Sequence, residues 1–304
     1  MSLAEVEAAT ETAQVGSEGG SLRRDAWRRL RRDPVALFGF GLIAFFILVA
    51  IFAPLIAPYG PSDNPGAGVV TPTTIPGPSA EHWFGLDELG RDEYSRVIYG
   101  ARQSLLVGVV ATALGMIGGL ALGVTAGAFP GKVDTIIMRI VDVMLSIPGL
   151  LMAIAIAAML GPSLLSVMIA IAIINVPIFA RLLRGQMLSQ RGSDYVLAAT
   201  ALGVRRRAIV LGHVLPNSMS PVIVQATLTL ATAIIEAAGL SFLGLGSADP
   251  GVPEWGRMLA NTQRYLASAP HLAFFPGVAI VIAALGFTLV GERLREALDP
   301  KYRR

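Results

Sequence analysis

Six long apolar runs with almost no charged side chains limit what this chain can fold into. A helix needs about 20 apolar residues to cross roughly 30 Å of bilayer hydrocarbon, and each run is near that length. Backbone N–H and C=O groups inside hydrocarbon must be hydrogen-bonded within the protein, so such spans must be helices. The runs are Val35–Ala57, Gln103–Ala128, Val143–Ala158, Leu164–Ala180, Asn217–Leu245 and His271–Val290. The sequence therefore predicts an all-α, polytopic membrane protein with six transmembrane helices.

The third and fourth runs belong to one stretch, Val143 to Ala180, that is too long for a single crossing. The letters "GPS" at Gly161 to Ser163 interrupt it, which predicts a tight hairpin. The first run is not predicted to be a cleavable signal peptide, because its apolar core exceeds 20 residues and follows a 34-residue polar segment. All six runs are therefore predicted to stay as helices.

The basic residues are distributed unevenly between the two sides of the predicted bundle. Nineteen of the 24 Lys and Arg residues fall on the side that carries both termini. Because Lys and Arg concentrate in cytoplasmic segments, both termini and the loop 185–216 are predicted to be cytoplasmic. Segments 58–102 and 246–270 are predicted to be extracytoplasmic, where Trp83 and Trp255 would contact a binding protein or the outer lipid interface.

Residues 1–34 are predicted to form a cytoplasmic tail in two parts. Met1 to Gly20 carries four Glu and no basic residue, and it is predicted to be disordered. The following letters, "SLRRDAWRRLRRDP", place Leu22, Ala26 and Leu30 on one helix face among six Arg. This pattern is typical of an interfacial helix on anionic lipid, and docking on another protein is the alternative. Residues 35–304 form the predicted transmembrane domain.

Several kinds of chemistry are excluded by what the sequence lacks. No G-x-x-x-x-G-K-[ST] phosphate loop is present, since "GAFPGKV" ends in Val133 where a hydroxyl is required. The three histidines lie far apart, H-E-x-x-H and G-x-S-x-G are absent, and there is no cysteine. The chain is therefore predicted to be no enzyme and to bind no metal or ATP. Its pI near 9.5 reports orientation in the membrane rather than a nucleic-acid partner.

A few polar groups lie within the spans, where they are costly and often functional. Glu236 lies near the outer end of the fifth span, either as a structural carboxylate or as a gate or substrate contact. Asn175 and Pro177 indicate either a kinked, pathway-lining segment or interhelical packing. Arg139 and Asp142, three residues apart, are predicted to form a local ion pair. The residues assigned to a translocation pathway are Met144, Ser146, Asn175, Pro177 and Glu236.

The second run carries glycine at every fourth position from Gly115 to Gly131. Small residues at this spacing let another helix backbone approach closely. We expect a packing face, with a surface that slides during transport as the alternative. The residues assigned to helix packing are Gly115, Gly119, Gly123 and Gly127.

Residues Tyr195 to Leu202 form a short apolar segment on the cytoplasmic side. Only Thr200 is clearly polar, yet eight residues reach about 12 Å and cannot cross a membrane. Ser193 or Asp194 is predicted to cap a helix that ends at Gly203 in the left-handed conformation. A second short helix, Arg205 to Leu215, is predicted to stop at Pro216. This hairpin is buried either by another protein or by the membrane surface, with the Arg triplet on lipid phosphates.

The letters "LAATALGVRRRAIVLGHVLPN" resemble the cytoplasmic loop signature of ABC importer permeases, which reads E-A-A, three residues, G, nine residues, I-x-L-P. The matching residues are Ala198, Ala199, Gly203, Leu215 and Pro216. Leu197 replaces the Glu of that signature and His213 replaces the Ile, so a contact made by that carboxylate does not carry over. "HWFGLDELGRDEYSRVIYGARQSLLVG", "RIVDVMLSIPGLL", "EAAGLSFLGLG", "PEWGRML" and "LREALDPK" resemble the second permease of dipeptide, oligopeptide and nickel importers.

The resemblance extends from about Trp27 to the C-terminus and implies a type I ABC importer permease in a bacterial inner membrane. It implies a homologous second permease, two ATP-binding subunits that hold ATP and Mg²⁺, and an extracytoplasmic substrate-binding protein. The expected cargo is di- or oligopeptides, and the alternative cargo is nickel or another small solute. An alternative function is that of an ion-coupled secondary transporter. The residues that would couple to the ATPase are Asp194, Tyr195, Leu197, Ala198, Ala199, Leu202, Gly203, Arg205, Arg206, Arg207 and Pro216.

Overall fold

The protein is a bundle of helices, and its computed structural model describes residues 22–71 and 74–298. The helices are α1 (Leu22–Leu30), α2 (Pro34–Ile56), α3 (Glu93–Ala128), α4 (Lys132–Ser146), α5 (Gly149–Leu160), α6 (Leu164–Gln190), α7 (Asp194–Ala201), α8 (Arg206–Phe242), α9 (Trp255–Thr262) and α10 (His271–Leu298). Within those two ranges the only β pairing is two isolated bridges. The predicted tail segment Met1 to Gly20 lies outside the described residues.

Five helices, α2, α3, α6, α8 and α10, are long and apolar enough to span a membrane. Helices α4 and α5 meet at a bend of 92° and make a sixth span if the bent pair is counted as one. The prediction of one unbroken helix over Val143–Ala158 is therefore wrong. Pro148 has no N–H and disfavours the helical conformation in the residue before it, and Ile147 is extended at φ −90° and ψ 131°.

The predicted hairpin between the third and fourth spans is confirmed. Gly161 ends α5 with φ +86°, a conformation that favours glycine. Ser163 then caps α6, because its side chain accepts a hydrogen bond from the backbone N–H of Ser166 at 3.0 Å. The chain reverses direction in three residues.

Helix α1 lies against the last turns of α10, and Ala26 and Leu30 are buried there. Two of the three residues on the predicted apolar face thus contact protein rather than lipid. Trp27 is half exposed, and the guanidinium of Arg31 lies over its ring at 4.8 Å. Asp33 then caps α2 by accepting from the backbone N–H groups of Val35 and Ala36.

The described residues of segments 57–71, 74–92 and 243–270 form a folded layer at one end of the bundle, which we call the loop end. Asp87 forms buried ion pairs with Arg91 at 2.6 Å and with Arg96 at 3.3 Å. Trp255 is fully buried and packs edge-on against Phe46, so the prediction that Trp255 contacts lipid or a binding protein is wrong. The opposite end carries α7 and is called the hairpin end.

Candidate functional site

The short apolar segment at the hairpin end folds as predicted into a helix, α7, followed by a turn at Gly203. Gly203 has φ +74°, which confirms the predicted left-handed conformation, and the N–H of Val204 bonds to the carbonyl of Ala199 at 3.1 Å. The predicted side-chain cap is wrong. The Oγ of Ser193 donates instead to the carbonyl of Gln190 at 2.6 Å.

Helix α7 has one face on the bundle and one face open. Val196 is buried, and Ala199 packs beside it against residues of α6 and α8. On the open face Leu197 is 58% exposed and Leu202 is 83% exposed, and Tyr195 is also exposed. Exposed apolar side chains grouped in this way mark a surface that contacts either another protein or the membrane.

The predicted end of the second helix of the hairpin, at Pro216, is wrong. Helix α8 begins at Arg206 and passes through Pro216 without stopping. A π-helical turn over Val210–Val214 precedes the proline, and the N–H of Leu215 bonds to the carbonyl of Val210, five residues back. This wider turn accommodates the proline ring that a regular α-turn would exclude. The hairpin is therefore continuous with a membrane span.

Two arginines of the hairpin end bind the C-terminus of α3. Arg191 donates to the carbonyls of Gly127 and Ala128, and Arg206 donates to that of Ala128. The last carbonyls of a helix lack partners within the helix and carry partial negative charge, so two cations stabilise this end. Partial burial and the nearby Arg206 lower the pKa of Arg191, whose guanidinium stays charged in proteins. Arg205 and Arg207 are exposed.

The role of Arg191 was missed at the sequence level, and Arg206 was assigned only to an external partner. Arg191 follows directly after a span, and this position alone does not show which helix end its side chain reaches.

The glycines of α3 lie against α6. A Cβ at Gly119 would lie 2.7 Å from the carbonyl oxygen of Val176, and one at Gly123 would lie 2.9 Å from that of Ala180. At Gly115 the nearest atom is the carbonyl oxygen of Ala172 at 2.8 Å, and at Gly127 it is the sulfur of Met187 at 2.8 Å. Gly131 directly precedes α4 and has open space around it. Gly115, Gly119 and Gly123 let the two backbones touch, and Gly127 makes room for the side chain of Met187. We call the contact made by these four glycines the glycine seam.

The helices α4 and α6 are also joined by ion pairs. Arg184 binds both carboxylate oxygens of Asp134, at 2.8 and 2.7 Å. Asp142 pairs with Arg181, so the predicted Arg139–Asp142 pair is wrong within the described part of the chain. Arg181 on α6, rather than Arg139 on α4 itself, thus binds the carboxylate of Asp142.

Four of the five residues assigned to a pathway line one pocket of about 390 Å³ at the α4–α5 bend, which we call the bend pocket. Met144 and Ser146 come from α4, Asn175 from α6 and Glu236 from α8. Pro177 is buried within α6 and does not line it. The bend itself was not predicted, so Ile147, Pro148 and Gly149 were missed as lining residues although "IPG" is a chain-breaking pattern.

The polar side chains of the bend pocket are few. Ser146 Oγ donates to the carbonyl of Val143 at 2.7 Å, and Asn175 Nδ2 donates to the carbonyl of Ile171 at 2.8 Å. One carboxylate oxygen of Glu236 is buried without a hydrogen-bond partner among the described residues. Over residues 22–71 and 74–298, no three His, Asp or Glu side chains are grouped closely enough to hold a metal ion.

Comparison with known proteins identifies the family. Residues 119–304 match the family described as binding-protein-dependent transport system inner membrane component. The chain belongs to this family of ABC importer permeases. Residues 21–67 also match the N-terminal TM domain of oligopeptide transport permease C. The permease is therefore a multi-pass inner-membrane protein.

Relatives of the permease are named as peptide transporters. It is 48% identical to the dipeptide transport system permease protein DppC of Alkalihalophilus pseudofirmus, covering 91% of this chain and 90% of that protein. It is 42% identical to the di/tripeptide transport system permease protein DppC of Pseudomonas aeruginosa, covering 91% and 92%. It is 45% identical to the glutathione transport system permease protein GsiD of Salmonella typhimurium, covering 91% and 90%.

A solved structure shares the fold of the permease. The inward-facing MetNI methionine ABC transporter superposes with a TM-score of 0.55 at 20% identity, covering 67% of this chain and 96% of that chain. At that identity the likeness shows the fold alone. The predicted type I importer permease fold is confirmed.

Proposed function

We propose that this permease is one of two homologous membrane subunits of an ATP-driven importer of di- or oligopeptides. Two separate ATPase subunits bind ATP and Mg²⁺, and an extracytoplasmic binding protein delivers the peptide. The permease itself hydrolyses nothing and converts ATPase closure into alternating access. The observation that carries the proposal is the open apolar face of α7 on a hairpin fixed to the helix bundle. The peptide cargo is supported by the names of the relatives.

The hairpin is the proposed docking element for an ATPase subunit. Tyr195, Leu197 and Leu202 present apolar surface, and burial of such surface is the main favourable term in association. Arg205 and Arg207 project beside it and would pair with acidic groups. Asp194, Ala198, Ala199, Gly203 and Pro216 complete the assigned set by shaping the hairpin and its junction with α8.

Movement of the hairpin would pass to the bundle through two contacts. Arg191 and Arg206 bind the end of α3, and the glycine seam brings the backbones of α3 and α6 into close contact. Close-packed interfaces shift between discrete arrangements rather than deform continuously. Helix α6 also carries Asn175, which lines the bend pocket. Helices α3 and α6 would therefore connect the hairpin to the proposed pathway. Pro177, inside α6, would set the shape of that helix.

We propose that the hairpin end faces the cytoplasm, with both termini on that side. The excess of basic residues on that side supports this orientation. Segments 58–102 and 246–270 would then face the binding protein. Residues 1–34 would form the cytoplasmic tail, with α1 at the lipid headgroups and Trp27 on its exposed side. No nucleic acid enters the proposal.

The test is reconstitution of the permease with its homologous partner, the ATPase subunits and the binding protein in proteoliposomes. We expect uptake of a labelled dipeptide that needs ATP and stops when the ATPase subunits carry a hydrolysis-blocking substitution. Uptake driven by a proton gradient without ATP would identify a secondary transporter instead. Uptake of Ni²⁺ but not of dipeptide would assign the metal as cargo.

A further inference from the structure

The side chains of the bend pocket offer a bound molecule hydrogen-bond acceptors but few donors. Asn175 uses its amide N–H on the carbonyl of Ile171, which leaves its Oδ1 free. The reverse orientation of the Asn175 amide would place its Oδ1 against the carbonyl oxygen of Ile171. Ser146 uses its hydrogen on the carbonyl of Val143, so its remaining capacity is as an acceptor. Glu236 is the only ionisable residue among those that line the pocket.

The backbone at the bend adds acceptors of the same kind. In a continuous helix the carbonyl of Met144 would bond to the N–H of residue 148, but Pro148 has none. Helix α4 ends at Ser146, so its last carbonyls lack helical partners and carry partial negative charge. The last turn of α4 lines the pocket. Helix α5 begins at Gly149 on the other side of the bend, and its first N–H groups are donors without helical partners. The two helix ends therefore offset each other, and the negative charge of the pocket comes from Glu236.

Among residues 22–71 and 74–298, Glu236 has no compensating partner. Its Oε2 is buried and unbonded, and none of the ion pairs in residues 22–71 and 74–298 includes it. An unpaired carboxylate in a desolvated site is costly, so a cation with several N–H groups would be bound favourably there. The pocket volume of about 390 Å³ suits a small molecule.

We propose that the bend pocket is a subsite for the protonated α-amino group of a passing peptide, with Glu236 as its counter-ion. The inference rests on the proposed peptide-import function and adds a specificity-determining residue to it. The ammonium group has three N–H donors, which match Glu236, Asn175 Oδ1 and a carbonyl at the end of α4. The apolar walls, Met152, Ile174 and Ile178, would hold the first side chain of the peptide.

The first experiment compares Glu236→Gln, which keeps the shape and removes the charge, with Glu236→Asp, which keeps the charge. Each variant is assembled with its partner subunits in proteoliposomes, and dipeptide uptake is measured at concentrations that saturate the binding protein. A hydrogen bond to a charged group contributes about 1.5–3 kcal/mol, so uptake by Glu236→Gln should fall about tenfold or more. Glu236→Asp should be intermediate. Recovery of the second permease should match that of the unsubstituted protein, which shows that the variants assemble.

The second experiment changes the substrate. An N-acetylated dipeptide has no ammonium group, and it is supplied at a concentration that saturates the binding protein. The unsubstituted permease and Glu236→Gln should transport it at the same low rate. An equal fold-loss for both peptides in Glu236→Gln would overturn the proposal, because the carboxylate would then act on something other than the amino group.

The third experiment separates charge from shape at one position. The chain has no cysteine, so Glu236→Cys in an otherwise cysteine-free complex can be alkylated at one site. Iodoacetate adds a carboxylate and iodoacetamide adds a neutral amide of nearly the same size. We expect uptake to recover with iodoacetate alone. Equal recovery with both reagents would overturn the counter-ion role.

Two further outcomes would also overturn the proposal. Wild-type uptake by Glu236→Gln would show that the charge is dispensable, and loss of the second permease from that variant would show that Glu236 pairs with the neighbouring subunit. Neither result bears on the proposed function, which is tested separately by ATP-dependent uptake of dipeptide in the unsubstituted complex.

Discussion

At the scale of single residues, the glycines of α3 decide how closely α3 and α6 can approach, because glycine has no side chain. We predict that Gly119→Ala lowers the thermal stability of the purified permease, because the added methyl would lie 2.7 Å from the carbonyl oxygen of Val176. Overpacking of this kind costs about 1–3 kcal/mol. Gly41→Ala is the matched control, since it adds the same methyl where nothing lies within 4 Å. Equal melting temperatures for the two variants in detergent would show that α3 and α6 are not in close contact.

Gly203 is a second position where the backbone requires glycine. At φ +74° a β-branched residue is strained, whereas asparagine adopts this conformation more readily than most residues. We predict that Gly203→Val reduces co-purification of the ATPase subunits, because α7 would no longer point in its present direction. Gly203→Asn should retain most of the association. If valine and asparagine behaved alike, the orientation of α7 would not depend on this turn.

At the scale of elements, the two faces of α7 require different substitutions. Ala199 packs against the bundle, so a charge there would disturb the hairpin itself as well as any partner. Leu202 is 83% exposed and makes a cleaner test. We predict that Leu202→Asp leaves the stability of the permease unchanged and sharply reduces ATPase co-purification, because a buried, unpaired carboxylate would enter the interface. Leu266→Asp, exposed at the loop end, is the control and should leave co-purification intact. Normal ATPase recovery with Leu202→Asp would contradict the docking role.

The elements also show what the sequence can and cannot predict. The hydrophobic runs predicted where the spans lie along the chain. The turns at Gly161 and Gly203 were predicted from the conformational preference of glycine alone. The passage of α8 through Pro216 was not predictable, because it depends on a π-helical turn that no local pattern in residues 210–214 requires. The letters "IPG" around Pro148 are a chain-breaking pattern that could have indicated the 92° bend. The uncharged run around them was instead interpreted as one helix because of its length.

At the scale of the whole molecule, the parts that were missed are those that depend on contacts between distant segments. Arg191 and Arg206 reach the end of α3 across more than 60 residues of sequence, and Arg181 rather than Arg139 pairs with Asp142. A single sequence carries no signal for such pairings. The bend pocket is an intermediate case. Asn175 and Glu236 stand out in the sequence because amide and charged groups are costly in a membrane, but only the fold brings four helices together around them.

The orientation of the whole molecule can be tested directly, because the chain contains no cysteine to complicate labelling. Ala80, at the loop end, and Ser189, near the hairpin end of α6, are both exposed. If the basic residues set the topology, Ala80→Cys should react with a membrane-impermeant maleimide added to intact cells, and Ser189→Cys should react only after permeabilisation. The unsubstituted protein controls for background labelling. The reverse pattern would place the hairpin outside the cell, where no ATP-driven subunit could dock on α7, and would remove the structural basis of the proposed function.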